Sequence, residues 1–318
     1  MPVTLGESLL GVLAPVVTPF EPATGDLARE PFVRNVRAHL AAGLAGVLVA
    51  GSSGEAALLD DDERRQLVEW AREAGGDGAL VLAGVGAEST RATVRRAREA
   101  ADAGADAVLA VAPHYYGRRM TDAALVDHFT ALADASPRPV LLYNIPVYAH
   151  LVLSPGLVAR MAEHPNVAGM KDSAGDLPVL AHYLEARSPA FRVLTGHAGT
   201  FGAALAAGVD GGILAASLFA PRAALASWEA HQRGDVTAAA AAQQALVPLA
   251  REIVAALGPP GLKYAMELVG LDGGPPRPPL VACNAAERAR VAALLAGAGL
   301  LDVALSGASP SSGGGADA

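Results

Sequence analysis

Among 24 basic residues the chain has 22 arginines and only two lysines, Lys171 and Lys263. Lys171 ends an apolar run, VAGMKDSAGD (167–176). Arginine stays protonated at any working pH, whereas a lysine amine in an apolar pocket gives up its proton more readily. The free amine attacks a ketone to form a Schiff base. The protonated imine then draws electrons from the neighbouring carbon, so a carbanion equivalent forms with no metal. The competing reading has Lys171 reaching out to solvent and pairing with Asp172. Lys263, in PGLKYAMEL, reads as a solvated or ion-paired helix residue.

Other residues could serve such an imine. GSSGE (51–55) sets two hydroxyls and exposed N–H groups between glycines, a small cradle suited to a carboxylate. Tyr143, in YNIP, carries a hydroxyl that could relay protons, or could be a core tyrosine with a satisfied hydroxyl. His114, Tyr115 and Tyr116 follow another apolar run, where aromatics more often pack or form interfaces. The eight histidines show no HxH or HExxH spacing, and a catalytic metal is not expected.

The elements that must position these groups recur. AAGLAGVLVAG (41–51), ADAGADAVLAVA (101–112) and ALAAGVDGGILAAS (204–217) each place a helix end, a glycine and then a short apolar run. The glycine suits the left-handed residue just past a helix. A run apolar on both faces is a parallel strand covered by helices. Eight such runs start near Val12, Gly46, Ala79, Asp106, Val140, Val167, Arg192 and Gly211. Strand–helix alternation of this kind predicts a closed (β/α)8 barrel. The rival doubly wound nucleotide fold would need GxGxxG, and Gly84-Val85-Gly86-Ala87-Glu88-Ser89 lacks the third glycine. In a barrel the strand C-termini form the active mouth. That rule gathers Thr18, GSSGE, residues 114–116, Tyr143, Lys171 and His197. The expected layout is a barrel over 1–218, a C-terminal helical extension over 219–300 and a disordered Gly/Ser-rich tail over 301–318.

Composition narrows the function classes. Hydrophobic residues are 52% and charged residues 18% of the chain, enough for a large core without disulfides. The single cysteine, Cys283, suggests a reducing compartment. A net charge of −8 with no basic stripe argues against nucleic acid. No signal peptide and no apolar run of ~18 residues is evident, so no membrane partner is expected and the cytoplasm is the default.

Together, GSSGE, YNIP, GMKDS and PGLKYAMELVGLDGGPPRPPL resemble the pyruvate-dependent class I aldolase family of dihydrodipicolinate synthase and N-acetylneuraminate lyase, from about Gly11 to Leu295. The resemblance implies an imine between Lys171 and pyruvate or a related 2-oxo acid, and Tyr143 as general acid/base. It implies a proton relay through Ser52, and a carboxylate held by Ser53 beside Gly51. Ser173, Gly196 and His197 join the implied substrate-binding set. Tyr115 or Tyr116 matches a family tyrosine that reaches into a neighbouring subunit's site, with Tyr116 assigned the catalytic part. No cofactor is implied, and a homotetramer built as a dimer of dimers is.

Within the family the chain departs from dihydrodipicolinate synthases in YNIPVYAH. Tyr148 stands where those enzymes carry a carboxylate-binding arginine, and His150 replaces a glycine. The segments AESTRATV, YYGRRM, GMKDSAGD and the stretch Gly196-His197-Ala198-Gly199 look closest to 4-hydroxy-2-oxoglutarate aldolase, although His197 departs from that pattern too. The expected reaction is therefore cleavage of 4-hydroxy-2-oxoglutarate to pyruvate and glyoxylate. Arg118, Arg119, His150 and His197 are candidates for the second carboxylate. The alternatives are condensation of pyruvate with aspartate semialdehyde, a 2-keto-3-deoxy sugar acid aldolase, and a silent pyruvate-binding regulator on the same fold.

Overall fold

The computed structural model describes residues 9–301. Eight parallel strands close into a barrel in sequence order, and the first pairs with the last. They are β1 (Gly11–Pro15), β2 (Gly46–Val49), β3 (Leu80–Gly84), β4 (Ala107–Val111), β5 (Val140–Asn144), β6 (Val167–Asp172), β7 (Arg192–Thr195) and β8 (Gly211–Ile213). Each coincides with one of the eight runs. The predicted (β/α)8 barrel is the fold observed.

Strand side chains alternate between two cores. Leu13, Leu48, Leu82, Leu109, Leu141, Leu194 and Ile213 fill the barrel interior. Their neighbours Val12, Val47, Val81, Val108, Leu142 and Val193 face outward under the helices. The covering helices are α1 (Arg29–Ala41), α2 (Asp61–Gly75), α3 (Thr90–Asp102), α4 (Asp122–Ala135), α5 (Pro155–Ala162), α6 (Leu177–Leu184), α7 (Phe201–Ala207) and α8 (Pro221–Gln232). The recurring turn glycines Gly43, Gly104 and Gly208 all hold positive φ, at 96°, 101° and 111°. A side chain there would be strained, which is why the repeat keeps glycine.

After α8 come α9 (Val236–Leu249), α10 (Ala256–Leu268) and α11 (Ala285–Gly297). The sequence reading separates VTAAAAAQQALVPLAREIVAALG from GLKYAMELVG. The break falls there, and up to it the chain runs on from α9 through a π-helical segment, Ala250–Ala255. It kinks at Gly258 (φ 58°), next to Pro259 and Pro260, whose rings and missing N–H groups interrupt the ladder. Taken whole, Val236–Leu268 is long and apolar enough to cross a membrane by length and composition. Here Leu246, Leu249, Ile253, Leu262, Ala265 and Met266 from it are buried in the protein core. The expected disordered tail, beyond Leu301, lies outside the described residues.

Candidate active site

Met170 packs in the outer core, so its neighbour Lys171 projects into the barrel. Its side chain is buried, 4% exposed, near the C-terminal end of β6. Tyr143 is its register partner on β5 and belongs to the interior cluster. Lys171 Nζ donates to Tyr143 Oη at 3.2 Å and lies 4.4 Å from the ring centroid. An amine and a phenol hydroxyl thus share one buried, water-poor position, within reach for proton transfer.

Asp172 does not take the lysine. It faces the other way and accepts from Asn144 Nδ2 at 2.7 Å and from the Ala174 N–H at 3.3 Å. Burial pushes its carboxyl pKa up, against the pull of the Asn144 hydrogen bond. Asn144 in turn accepts from the Leu153 N–H at 3.1 Å, tying the chain after β5 to β6. The sequence reading passed over this pair because it exists only across the β5–β6 register.

Gly196, just past β7, makes room for the amine. A Cβ there would lie 1.9 Å from Ser173 Oγ and 2.7 Å from Lys171 Cε. Its N–H donates to the Asp172 carbonyl at 2.6 Å. Ser173, Gly196 and Lys171 are therefore brought together. His197 lies beside them, its ring against Gly175 and Nδ1 3.0 Å from Thr200 Oγ1. Burial lowers its pKa and Asp172 opposes the shift, so the ring tends to the neutral form.

GSSGE forms a turn after β2. Gly51 is extended and caps a short 3-10 turn, Ser52–Gly54, that leaves Ser52 and Ser53 half-buried. Thr18, buried at the end of the β1 loop, donates to the Gly54 carbonyl at 2.7 Å. The turn stands at the same mouth as Lys171, since both follow strand C-termini of one parallel barrel.

Tyr115 and Tyr116 are not brought to the lysine within one chain. Both are exposed, at 77% and 68%, and stack edge to face with centroids 5.0 Å apart. Glu88 holds their loop by accepting from the His114 and Tyr115 N–H groups at 3.0 and 2.9 Å. Arg118 and Arg119 lie exposed on the turn that follows. His150 is exposed with φ 54°, at the end of the single helical turn Pro146–Ala149. Tyr148 is half-exposed, and its hydroxyl is 3.7 Å from where a Cβ on Gly258 would stand. Burial, and then its neighbour Tyr143, push the Tyr148 pKa up, so the hydroxyl stays protonated.

The sequence pattern of the dihydrodipicolinate synthetase family matches residues 8–298. The chain belongs to that family. Two relatives called 4-hydroxy-tetrahydrodipicolinate synthase come from an Exiguobacterium species and a Synechococcus species. The first is 33% identical over 281 residues, covering 88% of this chain and 95% of the relative. The second is 37% identical over 279 residues, covering 87% and 91%. A solved structure of the chloride-inhibited dihydrodipicolinate synthase from Acinetobacter baumannii, complexed with pyruvate, is 28% identical. It superposes with a TM-score of 0.86 over 92% of this chain and 99% of that one. As a dihydrodipicolinate synthetase family member, the chain is a pyruvate class I aldolase, an enzyme that makes or breaks carbon–carbon bonds. A silent binding role on this fold is set aside accordingly.

Proposed function

We propose that Lys171 forms an imine with pyruvate and that Tyr143 moves the protons of the aldol step. The buried 3.2 Å contact between the two carries this reading. The Lys171 amine adds to the keto carbon, and loss of water gives the protonated imine. Removal of a methyl proton leaves an enamine. Its carbon attacks the aldehyde, the new alkoxide takes a proton delivered through Tyr143, and water hydrolyses the imine. The water lost in forming the imine is returned here, and the product is a 4-hydroxy-2-oxo acid. Run backwards, the same steps cleave such an acid. The imine is the electron sink, so the reaction needs no cofactor. Ser53 and the N–H groups of its turn hold the substrate carboxylate, and Ser52 relays protons.

For the aldehyde, the names of the relatives favour aspartate semialdehyde, and hence 4-hydroxy-tetrahydrodipicolinate synthase chemistry, over the expected cleavage of 4-hydroxy-2-oxoglutarate. One observation keeps the second reading in play. Tyr148, a neutral phenol, stands where the resemblance calls for a carboxylate-binding arginine. Assaying pyruvate with aspartate semialdehyde and with glyoxylate side by side decides between them. A kcat/KM at least about tenfold higher with the semialdehyde supports the synthase, and the reverse ratio supports the 4-hydroxy-2-oxoglutarate aldolase. The exposed Tyr115–Tyr116 pair suits donation into a neighbour's site within a homotetramer. Light scattering of the purified protein tests that assembly.

A further inference from the structure

The second lysine is not solvated. Lys263, on α10, is 1% exposed, and its Nζ lies 2.5 Å from Glu55 Oε1 in a carboxylate that is itself fully buried. Among the described residues Oε1 has no other partner. The ammonium also donates to the Pro275 carbonyl at 2.7 Å and faces the Phe20 ring at 4.5 Å. Glu55 Oε2 accepts from the Arg277 N–H at 2.8 Å. The segment after α10 is thereby fastened to the GSSGE turn through one glutamate.

That glutamate sits at the point where the turn is hardest to hold. Glu55 has φ 57° and ψ 37°, left-handed values that a side-chain-bearing residue rarely adopts. It caps the Ser52–Gly54 turn, and its N–H donates to the Ser52 carbonyl at 3.1 Å. Strained backbone of this kind persists only where its surroundings over-determine it. Thr18 pins Gly54 from the barrel side, and the Lys263 ion pair pins Glu55 from the helix side.

We infer that Glu55 and Lys263 are positioning residues, a buried latch that fixes Ser53 and the N–H groups of its turn at the geometry needed to grip the substrate carboxylate. The inference rests on the proposed imine function, in which Ser53 serves that carboxylate. Stability alone does not explain the pair, since burying two charges gains little over apolar side chains of the same size. The latch also links α10, outside the eight strand–helix units, to the mouth of the barrel.

Two variants test it. Glu55→Gln keeps the shape and lets Lys263 shed its proton, which burial already favours. Glu55→Met with Lys263→Met replaces the pair by apolar side chains of similar volume. In either variant that folds, the latch predicts a rise in pyruvate KM of about tenfold or more, with kcat at saturating pyruvate changed far less. Thermal melting and borohydride trapping of pyruvate on Lys171 are read alongside. Folded variants with wild-type KM overturn the latch, as does a loss of melting temperature and kcat at unchanged KM. Loss of fold in both variants makes the pair structural and overturns it equally. If wild-type protein traps no pyruvate, the imine function has failed, and that result is separate from the behaviour of the variants.

Discussion

Tyr143 and Lys171 occupy opposed positions on neighbouring parallel strands, so the β5–β6 register sets their 3.2 Å contact. Groups fixed on strands are held more tightly than groups on loops. The contact is therefore built before substrate arrives, and it makes one chemistry available: an amine that adds to a ketone beside a hydroxyl that moves protons.

Removing the hydroxyl separates those roles. Tyr143→Phe keeps the ring and the barrel packing, so it should fold normally and still trap pyruvate on Lys171. Its kcat should fall roughly 10²–10⁴-fold, the usual worth of a positioned acid/base. Steady-state rates and a borohydride trap on the same preparation check both parts.

Gly196→Ala tests the steric reading. Its Cβ would collide with Ser173 Oγ and Lys171 Cε, so one of them must move. Overpacking of this kind costs about 1–3 kcal/mol of stability. Turnover should drop by more than about tenfold, because small displacements of a reacting group are costly. Denaturant melts and kinetics give the two values.

Acid should destabilise the fold through buried histidine. His39, 1% exposed, leaves its Nε2 without a partner, and burial holds its pKa near about 4, from 6.5 when unperturbed. The folded value is the lower one. The stabilisation from neutral His39 is therefore complete above pH 6.5 and is lost as pH falls through about 4. Its size is about 3 kcal/mol. His128 is held near about 4 by burial as well, with Glu88 opposing, and adds in the same direction. Urea melts at pH 7 and pH 4 should show the loss, and His39→Leu should make it smaller.

Chelation should change nothing. Among the described residues no group of three His, Cys, Asp or Glu side chains is placed to share a metal, and in the proposed mechanism the imine supplies the electron sink. Activity measured after dialysis against EDTA should equal that of untreated protein, with no gain on adding zinc or magnesium.

The barrel was legible because eight apolar runs and their turn glycines repeat a local rule, and Gly43, Gly104 and Gly208 adopt the left-handed turn it requires. Lys171 and Tyr143 were legible because strand C-termini converge. What stayed hidden depended on register or on distant packing. The Asn144–Asp172 hydrogen bond needs β5 and β6 side by side. Lys263 was expected on a helix, solvated or ion-paired, and it is ion-paired; its burial stayed hidden because the partner, Glu55, lies 208 positions earlier. The helix break at Gly258, Pro259 and Pro260 was legible from those residue types, whereas the π-helical segment before it was not. Sequence alone also placed the reaction nearer 4-hydroxy-2-oxoglutarate cleavage, with glyoxylate as the aldehyde, while the relatives bear the name of the synthase.

The most direct measurement mixes the protein with pyruvate, adds borohydride and maps the adduct by mass spectrometry, for wild type and for Lys171→Arg. The account predicts a reduced pyruvate adduct on Lys171, none in the variant, and turnover in the variant down by at least about a thousandfold with the fold retained. An unmodified Lys171, or a Lys171→Arg protein that turns over like wild type, would contradict it.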